Sequence, residues 1–317
     1  MTPGASPSGR KVRLWHVGNV LVDVVASVSE LPRRGGDVLA RALDVHVGGG
    51  FNLMAAAARQ GQPVCYAGAH GTGPFGDLVR AALRAAGITP LLPPRRHDTG
   101  AVVVIVDGDG ERTMLSGPAA VANPTPAELA ALRPAPGDAV SLTGYALLDP
   151  AARDGLLGWV PTLPEDVLVV LDPGPLAPAA QPAALAALLR RADWCTASAR
   201  EAGAMSGDGA AGADDPERAA VWLATRTRAG AVVRTGAAGC VLAVTGAAPV
   251  CVPGVPVRAV DTTGAGDAHT GVFVAALLSG ADPLAAARRA NAAAAFAVTR
   301  RGPATAPTAA ELTDFLA

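Results

Sequence analysis

Val260-Asp261-Thr262-Thr263-Gly264-Ala265-Gly266-Asp267, followed by the apolar run Ala268 to Leu278, is the stretch on which the reading of this chain turns. Three small residues ahead of a helix-like segment leave a backbone that an anion can approach closely. Exposed N–H groups at a helix N-terminus, aided by the helix dipole, make a ready phosphate site. Asp267 falls in the first turn, beside whatever those amides hold. A carboxylate next to an anion site is electrostatically costly unless it takes a proton from something there. The pattern points to phosphoryl transfer onto a hydroxyl, with the amides stabilising charge and Asp267 as base. On the turn alone a plainer reading stands beside it: a tight strand-to-helix turn with Asp267 as a helix cap.

Outward from that turn, composition narrows the classes. Half of the 317 residues are hydrophobic and 17% are charged, which suits a large core and excludes global disorder. A net charge of −1 with 3% aromatics argues against a nucleic-acid surface, which needs a basic face and stacking rings. Cys65, Cys195, Cys240 and Cys251 form no CxxC pair, and with five dispersed histidines they give neither zinc spacing nor a disulfide framework. A reducing cytoplasm fits that usage. Residues 1–11 read as a disordered tail, not a signal peptide. No apolar run reaches membrane-spanning length; the richest, Val272 to Leu278, is too short.

In the N-terminal half, Leu14 to Val20 reads as a buried strand and Leu21 to Val25 as a second. Asp23, an acid among valines, is either a surface residue or a carboxylate at a strand end that binds hydroxyls. Val38 to Val47 alternates as a strand. Gly48-Gly49-Gly50-Phe51-Asn52 then runs into an Ala-rich helix ending at Gly61, a second turn with open amides. Asn52, in its first helical turn, can offer a hydroxyl both a donor and an acceptor. Gly71-Thr72-Gly73-Pro74-Phe75-Gly76 matches the dinucleotide fingerprint G-x-G-x-x-G. Pro74 sits in the turn, however, and no strand ending in an acid arrives about 20 residues later.

Thr99 to Asp107 and Glu111 to Ser116, joined by Gly108-Asp109-Gly110, read as a β-hairpin. With Val38 to Val47 it would make a small sheet over the substrate. Pro118 to Pro136 is a Pro-punctuated connection with one helix. From Asp138 on, strands at Ala139–Leu142, Leu168–Leu171, Ala192–Thr196, Gly230–Thr235 and Gly239–Val244 imply a parallel sheet covered on both faces. Asp172-Pro173-Gly174-Pro175 closes one strand at its C-terminal end, where open α/β sheets put their ligands.

Asp261-Thr262-Thr263-Gly264-Ala265-Gly266-Asp267 resembles the C-terminal signature of the PfkB/ribokinase family of carbohydrate kinases. Gly48-Gly49 with Asn52 is similar to the family's N-terminal signature, where those positions bind the sugar. Phe75-Gly76 ahead of a helix ending in Gly87-Ile88, and the hairpin Gly110-Glu111-Arg112-Thr113, also resemble family segments. Ser198-Ala199-Arg200-Glu201 lies where the family has Asn-x-x-Glu, which implies that Glu201 helps organise magnesium and phosphate through water. Ser198 replaces the Asn; it keeps a capping oxygen and loses the amide donors. Arg234-Thr235-Gly236-Ala237-Ala238-Gly239 resembles the Gly-x-x-Gly turn that lies against ATP, which implies a phosphate contact for Arg234; a simple hairpin turn is the alternative. Asn291 falls where the family meets the adenine. The loop after Val298, with Asp261 and Thr263, corresponds to a monovalent-cation site, which implies potassium. His269 stands where relatives carry an aromatic ring, either packing under the loop or tuning the base.

The resemblance implies a ribokinase-like three-layer α/β/α fold over residues 12–317, with a mainly parallel central sheet and a small β-sheet lid. Lid strands would lie within 19–47 and 97–116. It implies transfer of the ATP γ-phosphate to a hydroxymethyl group of a sugar or sugar-like molecule. Asp267 would be the base and Gly264, Ala265 and Gly266 the anion hole. Asp23, Gly48, Gly49 and Asn52 would orient the acceptor, and Mg²⁺ would bridge the ATP phosphates. It further implies a cytoplasmic homodimer with no nucleic-acid or membrane partner. Three alternatives stay open: a nucleoside as acceptor, a catalytically inactive sugar-binding regulator, and an NAD(P) oxidoreductase resting on Gly71 to Gly76 alone.

Overall fold

The computed structural model describes residues 10–117, 123–176, 180–207 and 214–317. Residues 1–9 of the expected tail, and 118–122 of the Pro118 to Pro136 connection, lie outside the described residues; the helix expected in that connection is Pro126–Ala131. The N-terminal half supplies β1 (Leu14–Val17), β2 (Val20–Ser27), β3 (Ala42–Gly49), β4 (Val64–Tyr66), β5 (Thr89–Pro90), β6 (Ala101–Val106) and β7 (Arg112–Ser116). The C-terminal half supplies β8 (Ala139–Thr143), β9 (Leu168–Asp172), β10 (Trp194–Ser198), β11 (Gly230–Arg234), β12 (Gly239–Val244) and β13 (Val250–Pro253).

The larger sheet runs β13-β12-β11-β10-β9-β8-β1-β4-β5. From β5 to β11 every pairing is parallel. Its inner strands are largely apolar on both faces, as helices on both sides require: β1 and β4 are buried throughout, whereas the edge strands β5 and β13 are mostly exposed. This is a ribokinase-like α/β architecture. The expectation that Gly239–Val244 joins it in parallel is corrected, because β12 pairs with β11, and β13 with β12, antiparallel. Only a short 3-10 turn, Gly236–Ala238, separates β11 from β12. A parallel crossover needs a dozen or more residues.

The second sheet, β3-β2-β6-β7, stands apart as a lid. β2 and β6 run parallel, and the outer pairs are antiparallel. β3 begins at Ala42, not at Val38, because its partner β2 ends at Ser27, opposite Ala42. The residues before it have no strand to pair with, and Leu39 is 92% exposed.

Two helices carry the site, and close packing holds them side by side. Helix Gly50–Arg59 follows β3, and helix Ala265–Leu278 follows the loop that opens the C-terminal motif. Gly271 lies against the backbone of the first helix, where a Cβ would come within 2.4 Å of the Leu53 carbonyl. Ala56, Ala268, Val272, Ala292 and Ala293 fill the seam with helix Pro283–Val298. Small side chains let these backbones approach, and the approach places the two N-termini next to each other. Among the described residues no helix is long and apolar enough to cross a membrane.

Candidate active site

Helix Ala265–Leu278 starts from Gly264, whose φ of 74° lies in the left-handed region that favours glycine. Gly264, not Asp267, is the N-cap, and no side chain caps the helix. The first helical bond is Ala268 N–H to Gly264 O, at 2.8 Å. The amides of Gly264, Gly266 and Asp267 precede it and belong to the unsatisfied donors of a helix start. Ala265 N–H instead reaches back to the Thr262 carbonyl at 3.3 Å.

Asp267 faces the other turn. Its Oδ2 accepts from Asn52 Nδ2 at 3.2 Å. Burial, reinforced by the Asp172 charge, pushes the carboxyl up to about 7, while Asn52 and Arg234 pull the other way. A base with that affinity can exchange protons near neutral pH. Asn52 is buried, and its Oδ1 has no partner, which leaves an acceptor for an incoming hydroxyl.

The remaining acceptor-side residues gather around this pair. Gly49 caps helix Gly50–Arg59 with φ 63°. Asp23 is not at a strand end, as expected, but in the middle of β2, opposite His46. Its carboxylate fills the space over Gly48, where a Cβ would sit 2.1 Å from Oδ2. Burial raises the Asp23 carboxyl, partly offset by His46. Beneath the loop, the buried His16 ring lies under Gly50, where a Cβ would come within 1.9 Å of Nε2.

The nucleotide-side residues line a cleft of about 670 Å³ that includes Ser198, Arg234, Gly236, Gly239, Gly266, His269 and Asn291. Glu201 lies behind it. Ser198 and Glu201 form a capping box on helix Ala199–Ser206: Ser198 N–H donates to Glu201 Oε2 at 2.7 Å, and Glu201 N–H to Ser198 Oγ at 3.2 Å. Asn291, expected at the adenine, lines this cleft and also makes hydrogen bonds within the protein. Its Nδ2 donates to the Val252 and Pro253 carbonyls at 2.9 and 3.1 Å, so its Oδ1 must face His269 Nε2 at 3.1 Å. That arrangement puts the imidazole proton on Nε2. Burial, aided by Arg234, pushes His269 down to about 3, so the ring stays neutral.

Sequence reasoning did not place Asp172 among these groups, although its position at the end of a parallel strand was the available signal. Arg234 Nη1 donates to Asp172 Oδ2 at 3.2 Å and to Thr270 Oγ1 at 2.9 Å, and Nη2 lies 3.6 Å from Glu201 Oε2. Burial opposes the Arg234 charge, but the carboxylates of Asp172, Glu201 and Asp267 more than compensate. The guanidinium also approaches the glycine turn at the start of helix Ala265–Leu278, 3.5 Å from where a Cβ on Gly266 would lie. Asp261 and Thr263 come together as expected, but Arg112 of β7 also reaches them, at 3.3 and 3.0 Å.

Gly71 to Gly76 lies elsewhere and is closed to a dinucleotide. The amides of Phe75 and Gly76 donate to Asp98 at 3.0 and 2.7 Å. Burial alone would raise the Asp98 carboxyl, yet these amides hold it below the usual range. A carboxylate of the same chain thus takes the helix N-terminus that a pyrophosphate would need.

Comparison with known proteins agrees with this geometry. Residues 13–310 match the pfkB family of carbohydrate kinases. An uncharacterized sugar kinase of Escherichia coli, YegV, is 31% identical over 297 residues, covering 93% of this chain and 91% of that protein. Ribokinase of Bacillus subtilis is 28% identical over 90% of this chain and 92% of its own length. A ribokinase structure from Thermotoga maritima superposes with a TM-score of 0.82 at 25% identity, over 96% of this chain and 99% of that one. With the two glycine turns brought together at the mouth of such a fold, the chain belongs to the pfkB family of carbohydrate kinases.

Proposed function

We propose that this protein transfers the γ-phosphate of ATP to a hydroxymethyl group of a sugar or sugar-like small molecule. The observation that carries this reading is the meeting of Asn52 and Asp267, a hydroxyl-binding amide and a base, at the mouth of an anion-binding helix start. Asp23 and Asn52 orient the acceptor, with Gly48 and Gly49 giving the room. Asp267 removes the proton from the acceptor hydroxyl, and that oxygen attacks the γ-phosphorus. The bond to the β-phosphate oxygen breaks, and ADP leaves. The open amides of Gly264, Gly266 and Asp267, with the Arg234 charge beside them, stabilise the phosphoryl oxygens in flight; the Ala265 amide, bonded to the Thr262 carbonyl, is not among them. Holding both substrates across one short gap supplies much of the rate.

Magnesium, where it accompanies ATP, would supply charge neutralisation at the phosphates. Glu201 and Asp172 are the carboxylates that would hold it, through water, since each also accepts from the protein. Ser198 caps the Glu201 helix and so fixes where that carboxylate points.

The test is ADP release from ATP–Mg²⁺ across a panel of sugars, sugar phosphates and nucleosides, wild type beside Asp267→Asn. A relative from Halopiger xanaduensis, 32% identical over 96% of this chain, is an ATP-dependent ribose-1-phosphate kinase, so phosphorylated sugars belong in the panel. Turnover of one class, lost by a factor of ~10³ or more in the variant, supports the reaction and the base. Binding without turnover in either protein would replace the kinase reading with that of a sugar-binding regulator.

A further inference from the structure

The monovalent-cation site expected at Asp261 and Thr263 does not fit these side chains, and the disagreement points to another source of positive charge. Asp261 Oδ1 accepts from Thr263 N–H at 2.9 Å and from the Thr263 hydroxyl at 2.7 Å. Oδ2 accepts from Gly302 N–H at 2.9 Å. Arg112 completes the set: Nη2 lies 3.3 Å from Asp261 Oδ1 and 3.0 Å from Thr263 Oγ1. Four donors address this carboxylate, three of them on Oδ1. The Thr263 hydroxyl proton is committed to Asp261, so its lone pairs face the guanidinium. Three of these donors crowd Oδ1 and one addresses Oδ2, so every side-chain oxygen of the pair already has a donor, and the guanidinium charge lies where a monovalent ion would have to approach Oδ1 and the Thr263 hydroxyl.

Arg112 comes from the lid, while Thr263 immediately precedes the turn Gly264, Ala265 and Gly266. A second lid residue, His46 of β3, lies against the closing loop, 3.6 Å from where a Cβ on Gly302 would be. Asp261 therefore joins three parts of the protein: the lid through Arg112, the phosphate-binding turn through Thr263, and the closing loop through Gly302. The Asp261 carboxyl, which burial would raise, is held below its usual range by Thr263, Gly302 and Arg112 together.

We propose that Arg112 is the built-in cation of this loop, a positioning residue that ties the lid to the phosphate-binding turn and frees the protein from any need for a monovalent metal ion. Its guanidinium puts a fixed positive charge where an exchangeable one would otherwise sit. The charge arrives only with the lid, so the turn is electrostatically complete when the lid is down over the acceptor. The turnover arm of the test rests on the kinase reading; the stability arm does not.

The experiment compares the full-length protein with Arg112→Gln and Arg112→Lys in tetramethylammonium chloride and in potassium chloride at equal ionic strength, reading thermal unfolding and ADP release. For the wild type, both readings are expected to be the same in the two salts. Arg112→Gln should release ADP about tenfold more slowly in the tetramethylammonium salt, the worth of one charge-assisted hydrogen bond. Potassium should then raise both its turnover and its Tm by entering the vacated oxygens, and Arg112→Lys should keep most of its turnover in either salt. Potassium activation of the wild type overturns the proposal, as does an Arg112→Gln protein that matches wild type or whose loss potassium leaves untouched. If Arg112→Gln does not fold, Arg112→Met, which keeps the aliphatic stem, takes its place. If no acceptor is phosphorylated, the kinase reading falls, and the unfolding curves decide Arg112 alone: potassium must stabilise the glutamine variant and leave the wild type unmoved.

Discussion

Asn52 Nδ2 donates to Asp267 Oδ2 at 3.2 Å, across 215 positions of the chain. This contact ties the helix that follows Gly49 to Asp267 and pulls down a carboxyl that burial raises. An amide N–H on a carboxylate favours the ionised form. With Asp267 raised to about 7, kcat/KM should climb through neutral pH and level off above it. In Asn52→Leu that acidic limb should move to higher pH, because the donor is gone. A pH–rate profile of the two proteins checks the direction, and an unshifted limb would show that Asp267 is not the titrating base.

The same carboxylate should make the wild type less stable at alkaline pH. Its pKa is higher in the folded protein than in the unfolded chain, so the folded state binds more protons between the unfolded value near 4 and about 7. Stability from this group is present at acid pH and lost as pH rises through that window. Asp267→Asn should therefore melt higher than wild type at pH ~8 and converge with it near pH ~4. Scanning calorimetry at both pH values reads this without a substrate.

Arg234 pairs with Asp172 and Glu201 at the edge of the Gly264–Gly266 turn. Removing one partner of a buried ion pair strands the other, at about 3–5 kcal/mol. Arg234→Gln should lose roughly that much in urea unfolding, and its kcat should fall by about 10²-fold as the charge beside the turn disappears. Arg234→Lys should recover part of both. Full activity in the glutamine variant would remove Arg234 from the transfer step.

Gly48 makes room for Asp23, so Gly48→Ala should push that carboxylate aside. The KM for the acceptor should rise by roughly ten- to a hundredfold while the KM for ATP stays put, since misplacement by about 1 Å carries costs of that order. Equal changes in both constants would indicate general distortion of the helix start.

Asn291 holds the cleft wall through two carbonyls and His269. Asn291→Leu should cost about 1–3 kcal/mol in stability by leaving those groups unpaired. Adenosine and guanosine triphosphates should lose binding alike, because the residue supports the wall without reading the base. A loss confined to ATP, measured by calorimetric titration, would restore the adenine contact expected from its position in the sequence.

Much of this architecture was legible in the residues themselves. The Gly264 and Gly49 turns, the apolar strands β1, β8 and β9, and the helices that follow the glycines all rest on local rules. A left-handed φ calls for glycine, a strand buried on two faces is apolar throughout, and a helix begins where its first amides lack carbonyls. The direction of β12 was misread because an alternation of apolar runs carries no orientation; the short turn before it was the decisive clue. Gly71 to Gly76 misled for the opposite reason. Its local pattern is real, but the ligand of its amides is Asp98, more than 20 positions away.

What packing alone decided is the company each charged group keeps. Arg234 meets Asp172 across 62 positions and Arg112 meets Asp261 across 149. No spacing in the chain encodes those pairings, because they arise only when the helices close over Gly271 and the lid folds onto the mouth of the sheet. The turns and the open amides of their helix starts are properties of short segments and follow from sequence. The protonation of Asp267, the tautomer of His269 and the identity of the cation beside Asp261 depend on burial and on neighbours distant in the chain, and those exist only in the folded protein.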